Sequence, residues 1–116
     1  MRVLVTGGRS YGDRGRVFAE LDRLNLANPI SCVIHGAAPG ADTLADEWAL
    51  ERGICQIRYP VTPKEWRTIG RGAGPARNAR MLKEGRPSLV MAFPGGRGTA
   101  DMVRKARAAG VMVMLG

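Results

Sequence analysis

The sequence predicts an α/β class, a parallel five-stranded sheet covered by helices on both faces. Three observations predict it. Short Val- and Ile-rich runs alternate with longer stretches of helical periodicity, an order that demands parallel strands joined by crossover helices. Glycine occurs in every expected strand-to-helix connection, at 7–13, 36–41, 60–74 and 94–98. The hydrophobic fraction is 45% while aromatics make up only 5%. One mainly aliphatic core therefore suits the 116 residues, read as a single domain 1–116. Together these describe a Rossmann-like three-layer sandwich.

The elements follow in order. Met1 to Thr6 is Val-rich, as a central parallel strand should be. Arg14 to Leu26 carries Val17, Phe18, Leu21 and Leu24 at helical spacing, and Asn28-Pro29 ends it. Ser31 to His35 is a second strand. Ala41 to Arg52 is the clearest helix, with Ala41, Leu44, Ala45, Trp48 and Ala49 on one face and Gly53 as its stop. Ile54 to Tyr59 is a third strand. Pro60 to Gly74 reads as an irregular connection anchored by Trp66 and Ile69. Pro75 suits the first position of a helix running to Glu84. Ser88 to Phe93 is the fourth strand, Thr99 to Ala109 the fourth helix and Val111 to Leu115 the fifth strand.

In such a sheet ligands bind outside the carboxyl ends of the strands, so the four loops converge on one site. Phe93-Pro94-Gly95-Gly96-Arg97-Gly98-Thr99 is the most informative stretch. A glycine turn between a strand and a helix start lets backbone N–H groups reach an anion. Thr99 is placed to cap the helix or to donate to the same anion. A tight turn without a ligand is the plain alternative.

Gly7, Gly8, Arg9 and Tyr11 follow the first strand. The glycines let a base or ribose lie on the backbone, Arg9 is a phosphate candidate, and Tyr11 either stacks on a base or covers the loop. Gly36 and Asp42 flank the second helix start. Asp42 serves either the helix dipole or ribose hydroxyls. Arg77 and Asn78 open the third helix, where Arg77 adds a planar cationic fork. Asn78 has a structural alternative. His35, at the end of the second strand, is a candidate base with a structural histidine as the plainer reading, and Asp46 reads as a solvated acid. Trp66 is core cover or the wall of a base pocket.

Composition excludes several classes. No apolar run approaches the roughly 20 residues of a membrane span. Met1-Arg2 leads into Val3-Leu4-Val5 without a signal-peptide pattern. The expected location is cytoplasmic, with no membrane partner. Cys32 and Cys55 read as two buried, reduced thiols. With one histidine, no metal site and no cofactor are expected. There is no G-x-G-x-x-G, no G-x-x-x-x-G-K-[ST] and no G-x-S-x-G.

Residues 1–63 hold seven arginines against seven acids, and residues 64–116 hold eleven Lys or Arg against three acids. The whole excess of +8 lies in the second half, which suits an anionic partner, a nucleotide or a nucleic acid.

Pro94-Gly95-Gly96-Arg97-Gly98-Thr99 resembles the P-G-G-x-G-T motif of the SLOG superfamily, which joins DprA (Smf) with the "Lonely guy" phosphoribohydrolases. Gly7-Gly8-Arg9-Ser10-Tyr11, His35-Gly36, Gly40-Ala41-Asp42, Ala73-Gly74-Pro75, Arg77-Asn78 and Ala92 to Val103 resemble more closely its small bacterial and phage branch, related to YspA and YpsA. The resemblance spans the chain. It implies a nucleotide or nucleotide-derived ligand (a mononucleotide, ADP-ribose or a related signalling nucleotide) and a homodimer. The protein would be a sensor, a sponge or a processing domain.

The resemblance also implies an enzymic alternative, cleavage of the N-glycosidic bond of nucleoside monophosphates. The phosphoribohydrolases continue their motif to a catalytic Glu, with an Arg on the preceding helix. Arg77 matches that Arg, but Met102 stands in the Glu position. Asp42 and Asp101 are the substitute candidates, because an oxocarbenium-like state wants a carboxylate beside the sugar. Resemblance to DprA together with the basic half adds single-stranded nucleic acid as a further candidate partner.

Overall fold

Val3 and Val5 turn to one face of the first strand and Leu4 to the other, and the chain packs around that alternation. In a computed structural model describing residues 1–116, the strands are β1 (Arg2–Thr6), β2 (Cys32–His35), β3 (Cys55–Arg58), β4 (Leu89–Ala92) and β5 (Met112–Leu115). They form one parallel sheet in the order β3-β2-β1-β4-β5. The expected α/β, Rossmann-like architecture is the architecture found.

The helices are α1 (Arg14–Ala27), α2 (Ala41–Glu51), α3 (Pro63–Ile69), α4 (Ala73–Gly85) and α5 (Arg97–Ala108). Helices α1 and α2 cover one face, where Val17, Leu21, Ala45, Trp48 and Ala49 meet Val3, Val5, Val33 and Met91. Helices α4 and α5 cover the other, where Met81, Met102 and Ala106 meet Leu4, Ile34 and Val90. Trp48 is fully buried and donates its indole N–H to Asp22 at 2.8 Å, tying α2 to α1. No helix is long and apolar enough to cross a membrane.

Several expectations need correction. The connection after β3 is not irregular: α3 and a 3-10 turn, Gly70–Gly72, occupy it. Its start is a capping box, with Thr62 accepting from the Glu65 amide while Glu65 accepts from the Thr62 amide, and Pro63 follows in the first turn. The true β3–α3 link, Tyr59 to Thr62, contains no glycine. Trp66 and Ile69 do not anchor the segment; they are 40% and 52% exposed. Pro75 is the third residue of α4, still within the first turn where no N–H is needed.

Cys55 is exposed because β3 is an edge strand, although it lies in register beside the buried Cys32. Burial, aided by Cys55, pushes the Cys32 thiol up to about 11. Asp46 is half-buried rather than solvated. It accepts two hydrogen bonds from Arg58, each at 2.9 Å, and contacts His35 Nε2 at 2.7 Å. His35 is itself buried and accepts from the Ala37 amide through Nδ1 at 2.9 Å. Both ring nitrogens are thus engaged within the protein, a structural role that ties β2 to α2.

Candidate functional site at the carboxyl edge of the sheet

Strand order reverses beside β1, between β2 on one side and β4 on the other. The loops that follow β1 and β4 flank that switch point, the usual ligand position of an open parallel sheet. They are joined directly: the Gly8 N–H donates to the Pro94 carbonyl at 2.9 Å. The Gly8 carbonyl accepts from the amides of Tyr11 at 3.2 Å and Ala41 at 3.3 Å. Backbones meet this closely only where side chains are missing. A Cβ on Gly95 would strike the Thr99 hydroxyl and lie 2.7 Å from the Gly8 nitrogen. Gly40, at φ +83°, would drive a Cβ into the Gly8 carbonyl.

A cleft of about 670 Å³ opens between the two loops, lined by residues Gly8 to Asp13 on one side and by Pro94, Gly95 and Gly96 on the other. Tyr11 lines it while packing on Phe93, ring centres 5.5 Å apart. Ser10, Gly12 and Asp13 also line it; their place in the same loop as Gly7–Tyr11 was the signal that could have found them. A second concavity of about 440 Å³ lies across the Pro94–Gly96 turn, against α5 and the end of β5.

The β4–α5 turn supplies the chemistry. Helix α5 begins at Arg97, two residues earlier than expected, with Gly96 as its N-cap and no side-chain cap. Thr99 therefore sits in the first turn instead of capping it, and its hydroxyl has no protein partner. The N–H groups of Gly95, Gly96, Arg97, Gly98 and Thr99 meet no protein acceptor either. The first intrahelical bond comes only with Ala100, to the Gly96 carbonyl at 3.0 Å. The first turn holds no acid, and the exposed Arg97 has no ion-pair partner. Oriented amides at the positive end of a twelve-residue helix favour negative charge.

The other candidates form a second group, linked to one another rather than lining the cleft. Asp42 is buried at the start of α2. Its Oδ2 accepts from the Gly36 amide at 3.1 Å and the Ala38 amide at 3.3 Å. Burial pushes its carboxyl up, outweighing His35, the two amides and Arg77. Arg77 reaches the same loop: Nη1 donates to the Gly36 carbonyl at 2.7 Å and to the Tyr59 carbonyl at 3.2 Å. Its Nε donates to Asn78 Oδ1 at 3.1 Å. Burial presses its guanidinium below the ordinary arginine value, with Asp42 opposing and Arg9 and Arg80 reinforcing. Gly36 has no room for a Cβ beside this guanidinium.

Asn78 is buried between α4 and α5, donating to the Gly98 carbonyl at 3.2 Å and to Asp101 at 3.1 Å. It thereby holds the first turn of α5 from behind. Asp101 faces α4 and also accepts from Arg104 and Lys105, each at 2.6 Å. Burial pushes its carboxyl up, but Lys105, Asn78 and Arg104 outweigh that and hold it below the ordinary value. Met102 is fully buried against Leu4, Ile34 and Val90.

Comparison with known proteins places this geometry in a family. Residues 1–66 match the family model described as YAcAr: YspA, cpYpsA-related SLOG family. The chain is 40% identical over 120 residues to the Gene 61 protein of Mycobacterium phage D29, covering 97% of this chain and 94% of that one. It is also similar in structure to DNA processing protein A (DprA) from Streptococcus pneumoniae, with a TM-score of 0.53 and 22% identity over 97% of this chain. At that identity the likeness is one of fold, and this chain spans 58% of the DprA chain. The chain belongs to the YspA, cpYpsA-related SLOG family.

Proposed function

We propose that this protein binds a nucleotide or nucleotide-derived ligand at the carboxyl edge of its sheet. The observation that carries the reading is the unbroken run of unpartnered amides from Gly95 to Thr99 at the start of α5. A phosphate is the group that such a run accepts best. Arg97 adds a free cation, and Thr99 a free hydroxyl. Gly8, Arg9 and Tyr11 line the opposite wall, Gly7 lies behind it with no room for a Cβ beside Ala41 and Phe93, and the cleft has the size of a small-molecule site. Arg77, Asn78, Gly36 and Asp42 brace the loops from below. Arg77 keeps Nη2 without a protein partner, a donor for a second anionic group.

The test is direct. The purified protein is denatured and the released small molecules are identified by mass spectrometry, followed by calorimetric titration with each compound found and with AMP and ADP-ribose. Micromolar binding of a phosphorylated nucleoside supports the reading. A protein that carries nothing and binds none of these compounds refutes it.

A second reading, single-stranded nucleic acid, draws on the uncompensated cations of the second half, Arg67, Arg71, Arg80 and Arg107, none of which meets an acid in the structure. It requires oligonucleotide binding that falls steeply as salt rises, and its similarity to DprA is one of fold.

A further inference from the structure

Helix α3 buries none of its side chains, yet it carries an indole. Trp66 is 40% exposed, whereas Trp48 is fully buried. Tryptophan has the largest apolar surface of any side chain and is usually covered. The chain leaves two-fifths of this one open to solvent. The guanidinium carbon of Arg9 lies 5.8 Å from its ring centre, within cation–π range. Its six-membered ring passes Gly74, where a Cβ would lie 3.9 Å away.

The plate is nevertheless held in place. The Thr62–Glu65 capping box fixes one end of α3. At the other end Gly70, at φ +68°, turns the chain into the 3-10 turn and α4. Arg9 belongs to two neighbourhoods, because it lines the cleft beside Gly95 and Gly96 and also stacks on Trp66. Arg9 and Arg80 both bring positive charge to bear on the part-buried Arg77, with Asp42 and Glu65 opposing them. A ligand suited to this surface has a flat aromatic part for the indole and a negative part for the arginines and the free amides.

We infer that Trp66, with Arg9, is the base-stacking wall of the site: the ligand's nucleobase lies against the indole while its phosphate rests on the Gly95–Thr99 turn. This rests on the nucleotide reading above and adds to it the side chain that recognises the base. Stacking of this kind is tolerant of base identity, because every base has a π-face.

The experiment compares AMP with ribose 5-phosphate, which keeps the phosphate and loses the base. Both are titrated calorimetrically into the full chain and into its Trp66→Ala and Trp66→Phe variants. The wild type should bind AMP more tightly than ribose 5-phosphate. Trp66→Ala should weaken AMP by about five- to a hundredfold and leave ribose 5-phosphate unchanged, and Trp66→Phe should recover most of the loss. Iodide quenching gives an independent signal: iodide reaches Trp66 and not the buried Trp48, so AMP should protect the quenchable emission while ribose 5-phosphate should not. Equal AMP affinity in wild type and Trp66→Ala overturns the stacking role and leaves the nucleotide reading standing. Equal affinity of the wild type for AMP and ribose 5-phosphate does the same. Binding of neither compound, nor of ADP-ribose, removes both readings together.

Discussion

Gly8 and Pro94 are hydrogen-bonded across the switch point of the sheet, N–H to carbonyl at 2.9 Å. That single bond joins the loop after β1 to the loop after β4 and makes the two walls of the cleft one unit. Its geometry separates the neighbouring glycines into different roles. A Cβ on Gly95 meets Thr99 and the Gly8 nitrogen, whereas a Cβ on Gly96 meets nothing within 4 Å.

Gly95→Ala should therefore destabilise the fold, by about 1–3 kcal/mol as overpacking does. Gly96→Val should leave the melting temperature nearly unchanged and remove nucleotide binding, since its side chain projects into open space where the ligand would sit. Thermal melts and calorimetry on the two variants check the contrast. Equal behaviour of both would contradict it.

Arg77 spans three acceptors, the carbonyls of Gly36 and Tyr59 and the side chain of Asn78. Arg77→Ala leaves buried acceptors without donors, a loss of about 1–3 kcal/mol for each unsatisfied group. Stability should fall together with binding. Arg77→Lys should rescue little, because an ammonium cannot reproduce the planar fork. Denaturant melts give the stability term. A Lys variant as stable as wild type would show that charge alone matters there.

Asp42 and Asp101 push stability in opposite directions as pH changes. Asp42 binds its proton more tightly in the folded state, because burial raises its value. Its ionisation therefore costs stability as pH rises from the ordinary aspartate range through that raised value. Asp101 and Asp46 are held low, by Lys105 and Asn78 and by Arg58 respectively, against burial. Their contribution is present above the ordinary range and is lost as pH falls through the lowered values. Asp42→Asn keeps an oxygen for the Gly36 and Ala38 amides. Melting temperatures between about pH 3 and pH 7 should show the variant gaining on wild type as pH rises. A variant that loses ground to wild type as pH rises would refute the assignment.

AMP should be recovered intact after incubation with the protein. The position of the phosphoribohydrolase glutamate holds Met102, which points into the core rather than to the cleft. Asp101 is engaged by three donors from α4 and α5. Chromatographic detection of free adenine at roughly 1 per second or faster would contradict this. Loss of that release in Asp42→Asn would then identify the acting carboxylate.

Much of this was legible in the residues. Ala41, Ala45, Trp48 and Ala49 announce α2 because their spacing is the helix period and all four are buried. The Pro94–Thr99 turn was legible as a turn because its glycines separate an apolar run from a helical one, the β4–α5 order found. Helix α3 was missed because its signal is chemical rather than periodic: Thr62, Pro63 and Glu65 start it, but no apolar stripe runs through it. Asp46 looked solvated because its partners, His35 and Arg58, come from the strands β2 and β3 rather than from its own helix. Asn78 and Asp101 meet across twenty-three residues, a contact that no local pattern contains. Cys55 looked buried because its neighbours are apolar, and its exposure follows from edge position alone.

The most direct measurement is a 15N-resolved NMR titration of the protein with AMP. The account predicts the largest shifts at the backbone amides of Gly95, Gly96, Arg97, Gly98 and Thr99, with smaller ones at Gly8 and Arg9. Ribose 5-phosphate should reproduce the first set. Saturable AMP binding that leaves those five amides unmoved and shifts another surface would contradict it.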